Sequence, residues 1–154
     1  MTENSAYDTD FYGWTIAQAA LLRDRNAAAI DWERLADEIE SMGRQERREL
    51  VSRLRILLGH LLKWRYQPDR QSRSWMTTIR VQRLEIRKLL AKNPSLKSAI
   101  PEAFAEAYEL GRLLAIDEMG LEDYEENLVP SESPFDWEFV LNSDQFDAPD
   151  LMHE

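Results

Sequence analysis

Leu50, Leu54, Leu57, Leu61 and Trp64 advance by 4, 3, 4 and 3 residues. A seam that repeats every seven residues is buried by packing one helix lengthwise against others. Val51, Leu58 and Leu62 widen it into a stripe broad enough to face a bundle core. The stretch is expected to run from Arg44 to about Tyr66. Pro68 ends it, because proline lacks an amide donor and pushes the residue before it out of the helical region. The segment QPDRQS is then a turn.

The same periodicity places four more helices. Phe11, Trp14, Gln18, Leu21 and Leu22 share a face of DFYGWTIAQAALLRDRN, with Asp8, Thr9 or Asp10 available as the cap. Asp31 is expected to cap a short second helix, DWERLADEIESMG. It would carry Trp32, Leu35, Ala36 and Ile39 on one face and end at Gly43 in the left-handed position. Ser72 or Ser74 caps a fourth helix reaching about Lys92, lined by Trp75, Ile79, Ile86 and Leu90 and closed by Asn93 and Pro94. A fifth, with Pro101 in its first turn, is expected to turn Ala103, Phe104, Ala107, Leu110 and Leu114 inward and to stop at Gly120.

With 154 residues and 44% hydrophobic side chains, the chain suits one domain with a real core. The expected fold is all-α: a single-domain antiparallel bundle of about five helices over residues 1–120, with residues 121–154 as an extension of that domain. This extension holds 11 acidic residues and no basic one, yet includes Tyr124, Phe135, Trp137, Phe139 and Phe146. Disordered acidic tails are poor in aromatics, so it reads as a leg packed back on the bundle, with Ser133 and Pro134 opening a turn or two of helix near residues 135–141. The absence of cysteine removes disulfide frameworks and thiolate chemistry, and no window approaches 18 apolar residues in a row. A soluble cytoplasmic protein without membrane contact is the expectation.

Charge is segregated. The formal net charge of −10 divides into −6 over residues 1–43, +11 over 44–97 and −15 over 98–154. Arg73, Arg80 and Arg87 fall at heptad steps along the fourth helix, with Arg83 just inside their line. Glu102, Glu106 and Glu109 form a ladder on the fifth that could lie beside Arg80, Arg83 and Arg87, fixing helix register by exposed ion pairs of ~0.2–1 kcal/mol each. Alternatively, Lys63, Arg65, Arg70, Arg73, Arg80, Arg83 and Arg87 form a surface for an acidic protein, or for RNA or single-stranded DNA that would stack bases on Trp64, Tyr66 and Trp75 once the leg moves aside.

His60 lies on the edge of the seam, with Arg53 two turns back. Together with Asp37, Glu38 and Glu40 they are expected to form an internal polar network. His153 stands near the far end of the sequence and makes a poor partner. Asp69, Glu85 and Arg87 echo the acidic-acidic-basic set of metal-dependent nucleases weakly, since a turn and a helix replace the usual sheet. A di-iron bundle would need two Glu-x-x-His motifs, and neither these, a phosphate-binding glycine loop nor a nucleophile elbow is present. No catalytic residue, metal or cofactor is assigned from the sequence, and an enzyme is not the expectation.

The strings DWERLADEIESMG, LLGHLLKWRYQP, SRSWMTTIRVQR, NPSL and AEAYE resemble the family called domain of unknown function 29, over about Tyr7 to Gly120. The resemblance implies a small helical bacterial protein and transfers no activity. The function expected is a helical protein-interaction module whose partner is another protein, a second copy included. Nucleic-acid binding through the basic surface of the third and fourth helices is the alternative.

Overall fold

The computed structural model describes residues 5–142 together with Asp144 and Phe146; His153 and the rest of the acidic leg beyond Phe146 lie outside them. The α-helices are α1 (Ala6–Thr9), α2 (Phe11–Arg23), α3 (Trp32–Tyr66), α4 (Arg73–Lys92), α5 (Ile100–Met119) and α6 (Trp137–Asn142). Short 3₁₀ turns follow at Pro68–Arg70, Pro94–Ala99 and Asp123–Leu128, and no strand occurs among the described residues. The fold is all-α, and the chain gathers into two compact units, residues 1–44 and 45–154.

One boundary differs from expectation. Helix α3 is unbroken from Trp32 to Tyr66, so the second and third helices of the sequence reading are a single element and Gly43 lies inside it. A glycine ends a helix only where the chain turns left-handed, and the sole glycine with positive φ among the described residues is Gly120. RQERRELV after Gly43 is rich in good helix formers, so propagation continues at a cost of ~1 kcal/mol for the glycine. A Cβ at Gly43 would meet nothing within 4 Å. Gly43→Ala is therefore expected to raise stability by about 0.5–1 kcal/mol in urea titration.

In the first unit, Asp10 Oδ1 caps α2 by accepting the Gly13 amide at 3.0 Å. The helix ends in a Schellman motif: the Asn26 amide reaches Leu21 O and the Arg25 amide reaches Leu22 O, both at 3.0–3.1 Å. Arg25 occupies the left-handed position, at φ 55°, that a glycine most often fills. Trp14 is buried, with the Tyr7 ring against it edge-on at 4.9 Å and the Tyr7 hydroxyl donating to Glu38. Gln18, the polar residue of the predicted stripe, is buried because its Oε1 accepts the Asp31 amide at 2.9 Å. Asp31 also binds Arg34 at 3.0 Å, and that hydrogen bond holds its carboxyl below the usual range.

The second unit carries the main core. Every residue of the seam is buried, Leu50, Leu54, Leu57, Leu58, Leu61 and Leu62 completely. Helix α4 returns antiparallel, with Ser72 as its cap and Ile79, Ile86, Leu89 and Leu90 inward. Glu46 near one end of the unit meets Lys92 and Asn93 at the other end of α4. Helix α5 runs back alongside α3, pairing Arg47 with Glu102 and Glu106 and Lys63 with Glu118, and stops at Gly120 in a left-handed turn. Its inner face is built differently from expectation. Leu110 and Leu114 are exposed, whereas Ala103, Ala107, Gly111 and Ala115 form the inner row at four-residue steps, with Tyr108, Ile116 and Met119 beside it. Small side chains let the two backbones approach, which Leu110 and Leu114 would prevent.

The described residues of the acidic leg pack back on this unit. Val129, Phe135, Phe139, Val140 and Leu141 join the core, and Asp136 Oδ1 caps α6 at the Phe139 amide, 2.8 Å away.

Candidate functional site

The predicted basic set divides between buried and exposed positions. Lys63 is buried, with Nζ 2.6 Å from Glu118 and 5.0 Å from the Trp75 ring centre. Trp64 is buried and Tyr66 has the Arg65 guanidinium over its ring. The aromatic faces considered for base stacking are therefore largely in use. Arg65, Arg70 and Arg73 are exposed around the turn between α3 and α4.

Arg83 and Arg87 point at the leg. The Arg83 guanidinium donates to Val140 O at 2.8 Å and Phe139 O at 3.0 Å, and Arg87 donates to Leu141 O at 2.7 Å. These oxygens belong to the last turn of α6, where carbonyls have no partner within the helix and the dipole favours a cation. The two arginines thus cap α6 from outside. Arg112 repeats the device on the other short turn, donating to Glu126 O, Val129 O and Pro130 O at 3.0–3.1 Å. Tyr108 also donates to Pro130 O, and burial pushes its hydroxyl up to about 12. The expected ladder of Glu102, Glu106 and Glu109 on Arg80, Arg83 and Arg87 is absent among the described contacts: Glu102 and Glu106 serve Arg47 on α3. Among the described contacts, Arg83, Arg87 and Arg112 hold the leg by its main-chain oxygens, a preference invisible in a count of charges.

Arg80 lies over the Phe146 ring at 5.4 Å, and Arg83 lies 5.6 Å from the same ring. With Asp144 these groups bound a pocket of about 130 Å³ whose basic members are Arg80, Arg83 and Arg87. Arg83 is only 3% exposed. Burial first, then the charge of Arg87, pushes its guanidinium down to about 10, with Asp144 opposing.

The expected polar network takes other partners. Arg53 pairs with Glu49 at 3.0 Å, Glu85 at 3.8 Å and Gln82 at 3.3 Å. His60 Nδ1–H donates to Ile56 O at 2.8 Å, and burial lowers the pKa of the ring. Glu38 accepts from Tyr7 and Glu40 pairs with Arg44. Because α3 is continuous, all five candidates stand on one helix, where side chains meet only at three- and four-residue steps. The arrangement expected for Asp37, Glu38, Glu40, Arg53 and His60 required a chain reversal at Gly43.

A surface that includes two residues expected on a packed face, Trp32 and Ile39, lies in the first unit. Trp32 is 57% exposed, Ile39 61% and Met42 64%, all on one side of α3, and Tyr12 and Ile16 are exposed on α2. The Trp32 indole N–H donates to Ala27 O at 3.0 Å, so its polar group is satisfied while much of the ring faces outward. Among the described residues no group of histidine, aspartate and glutamate could hold a metal ion, and no helix is long and apolar enough to cross a membrane.

An all-helical chain with arginines set on helix-end carbonyls and an exposed aromatic-aliphatic face is the class of protein defined so far. The chain belongs to the family described as domain of unknown function DUF29, whose model matches residues 6–146. The match takes in most of the acidic leg, which the resemblance read from the sequence had left outside. No curated protein matches the chain, and no solved structure does.

Proposed function

We propose that the chain is a helical protein-interaction module, docking a partner on the apolar face of its first unit. The observation that carries this reading is the exposure of Trp32, Ile39 and Met42 along one side of α3. Steps of seven and three residues put the three on one side of the helix, as in a packing seam, but here that side is uncovered. A large aromatic ring whose N–H is already bonded offers contact area with few rotamers to freeze, as interface anchors do. The sequence around the face is acidic, −6 over residues 1–43, so the partner that fits is an apolar helix with basic flanks. A second copy would bring like charge to the same place.

The test compares the wild type with Ile39→Glu/Met42→Glu, each tagged and recovered from cells that make the protein, with sedimentation of the purified chains alongside. Because both side chains are exposed, the melting temperature is expected to change by less than about 3 °C. A specific protein that co-purifies with the wild type at least tenfold more than with the double variant supports the reading. Equal recovery from both, with both sedimenting as monomers, overturns it. A wild-type dimer dissociated by the double variant would make a second copy the occupant.

Nucleic-acid binding is supported by one observation: the exposed Arg65, Arg70 and Arg73 stand beside an open cleft of about 450 Å³ lined by Trp64, Gln71, Ser72, Arg73 and Met76. Substituting all three arginines by glutamine is expected to remove any salt-dependent affinity for single-stranded RNA.

A further inference from the structure

We propose that the pocket between α4 and the leg, bounded by Arg80, Arg83, Arg87, Asp144 and Phe146, binds a phosphate group. The site is independent of the apolar face of the first unit. Three guanidiniums converge on it at positions i, i+3 and i+7 of α4, and among the described residues Asp144 is the one carboxylate in its wall, so these four side chains sum to a formal charge of +2. A phosphate carries about −1.5 to −2 at neutral pH and matches that excess, while chloride or a single carboxylate leaves part of it uncompensated.

The basic groups are held before any ligand arrives. Arg83 is fixed by two carbonyls and Arg87 by one, while Arg80 is laid across the Phe146 ring. Each guanidinium has five N–H donors, so Arg87 keeps donors beyond its bond to Leu141, and Arg80 donates no hydrogen bond to the leg among the described contacts. Ordering flexible arginine side chains normally opposes anion binding. Here the fold has done much of that ordering, because Arg83 and Arg87 also cap α6. The volume of about 130 Å³ lies below the ~300–1,000 Å³ of pockets that enclose whole drug-sized ligands. It suits a single phosphate group, free or at the end of a larger molecule.

The experiment is calorimetric titration of the full chain with inorganic phosphate and, separately, a nucleoside 5′-monophosphate, at ionic strength matched with chloride. Saturable binding of inorganic phosphate, weakened at least tenfold in Arg80→Gln, is the expected result. Arg80 is the residue to substitute because it does not cap α6, so its variant is expected to melt within about 2 °C of the wild type. If that variant nevertheless unfolds, phosphate-dependent chemical shifts of the Arg80 and Arg87 side-chain N–H groups in the wild type decide the question. Binding of both ligands identifies a terminal phosphate as the recognised group, and binding of inorganic phosphate alone identifies the free ion. Heats no larger than the chloride control, or equal affinity in wild type and Arg80→Gln, overturn the proposal.

Discussion

A chain cut after Gly120 is expected to lose cooperative unfolding and near-ultraviolet dichroism while keeping much of its far-ultraviolet helical signal. The leg supplies Val129, Phe135, Phe139, Val140 and Leu141 to the core. At ~1.5–3 kcal/mol for each buried side chain, their gross contribution is on the order of 10 kcal/mol, comparable to the whole stability of an ordinary domain. The cut also strips Arg83 of the Phe139 and Val140 carbonyls and Tyr108 of Pro130, leaving polar groups that were bonded within the protein without those acceptors. Thermal melts of full-length and truncated chains provide the measurement. A sharp transition within about 5 °C of the full-length value would make the leg an accessory. The consequence for function is direct: the leg is part of the folded unit, so deleting it is the wrong way to uncover the basic surface. Substitution at Arg65, Arg70 and Arg73 tests that surface without removing core side chains.

What could be read from the sequence follows the range of the interaction involved. The seam from Leu50 to Trp64 was legible because periodicity along one helix reports directly which side is buried, and all five of its residues are in the core. Ser72, one of the two serines offered as the α4 cap, and Gly120 as the α5 stop were legible for the same local reason. Gly43 was misread because glycine permits a left-handed turn without requiring one. Arg25 was missed because a Schellman ending on a non-glycine residue leaves no compositional mark. On α5, leucines outrank alanines in hydrophobicity, yet the spacing between α3 and α5 selects the smaller side chains. The arginines show the limit most clearly: sequence supplies their charge and common face, but the choice of helix-end carbonyls over carboxylates depends on where the leg arrives. Trp32, Ile39 and Met42 carry the periodicity of a packed helix. Periodicity alone does not tell whether the packing partner lies in the same chain.

The close approach of α3 and α5 gives the largest effect expected from a single methyl group. A Cβ added at Gly111 would stand 2.8 Å from the Arg55 carbonyl oxygen and 3.3 Å from the Gly59 amide nitrogen. Both are backbone atoms of α3, so relief requires moving one helix away from the other. Elsewhere Gly→Ala inside a helix is favourable by about 0.5–1 kcal/mol, so the sign at Gly111 is set by crowding alone. Overpacking of this kind costs ~1–3 kcal/mol and sometimes more. Separating the helices also loosens Ala107 and Ala115, one turn to either side, so Gly111→Ala is expected at the upper end of that range. Gly59→Ala, whose Cβ would lie 3.4 Å from the Gly111 carbonyl, is expected to cost less than about 1 kcal/mol. With Gly43→Ala stabilising, the three substitutions make an ordered series within one protein, measured by urea denaturation: 43 above wild type, 59 near or slightly below it, 111 well below. The same change in all three variants would show that helix propensity governs them. Only the predicted spread, with by far the largest loss at Gly111, identifies backbone contact between α3 and α5 as what forces small residues along the inner face of α5.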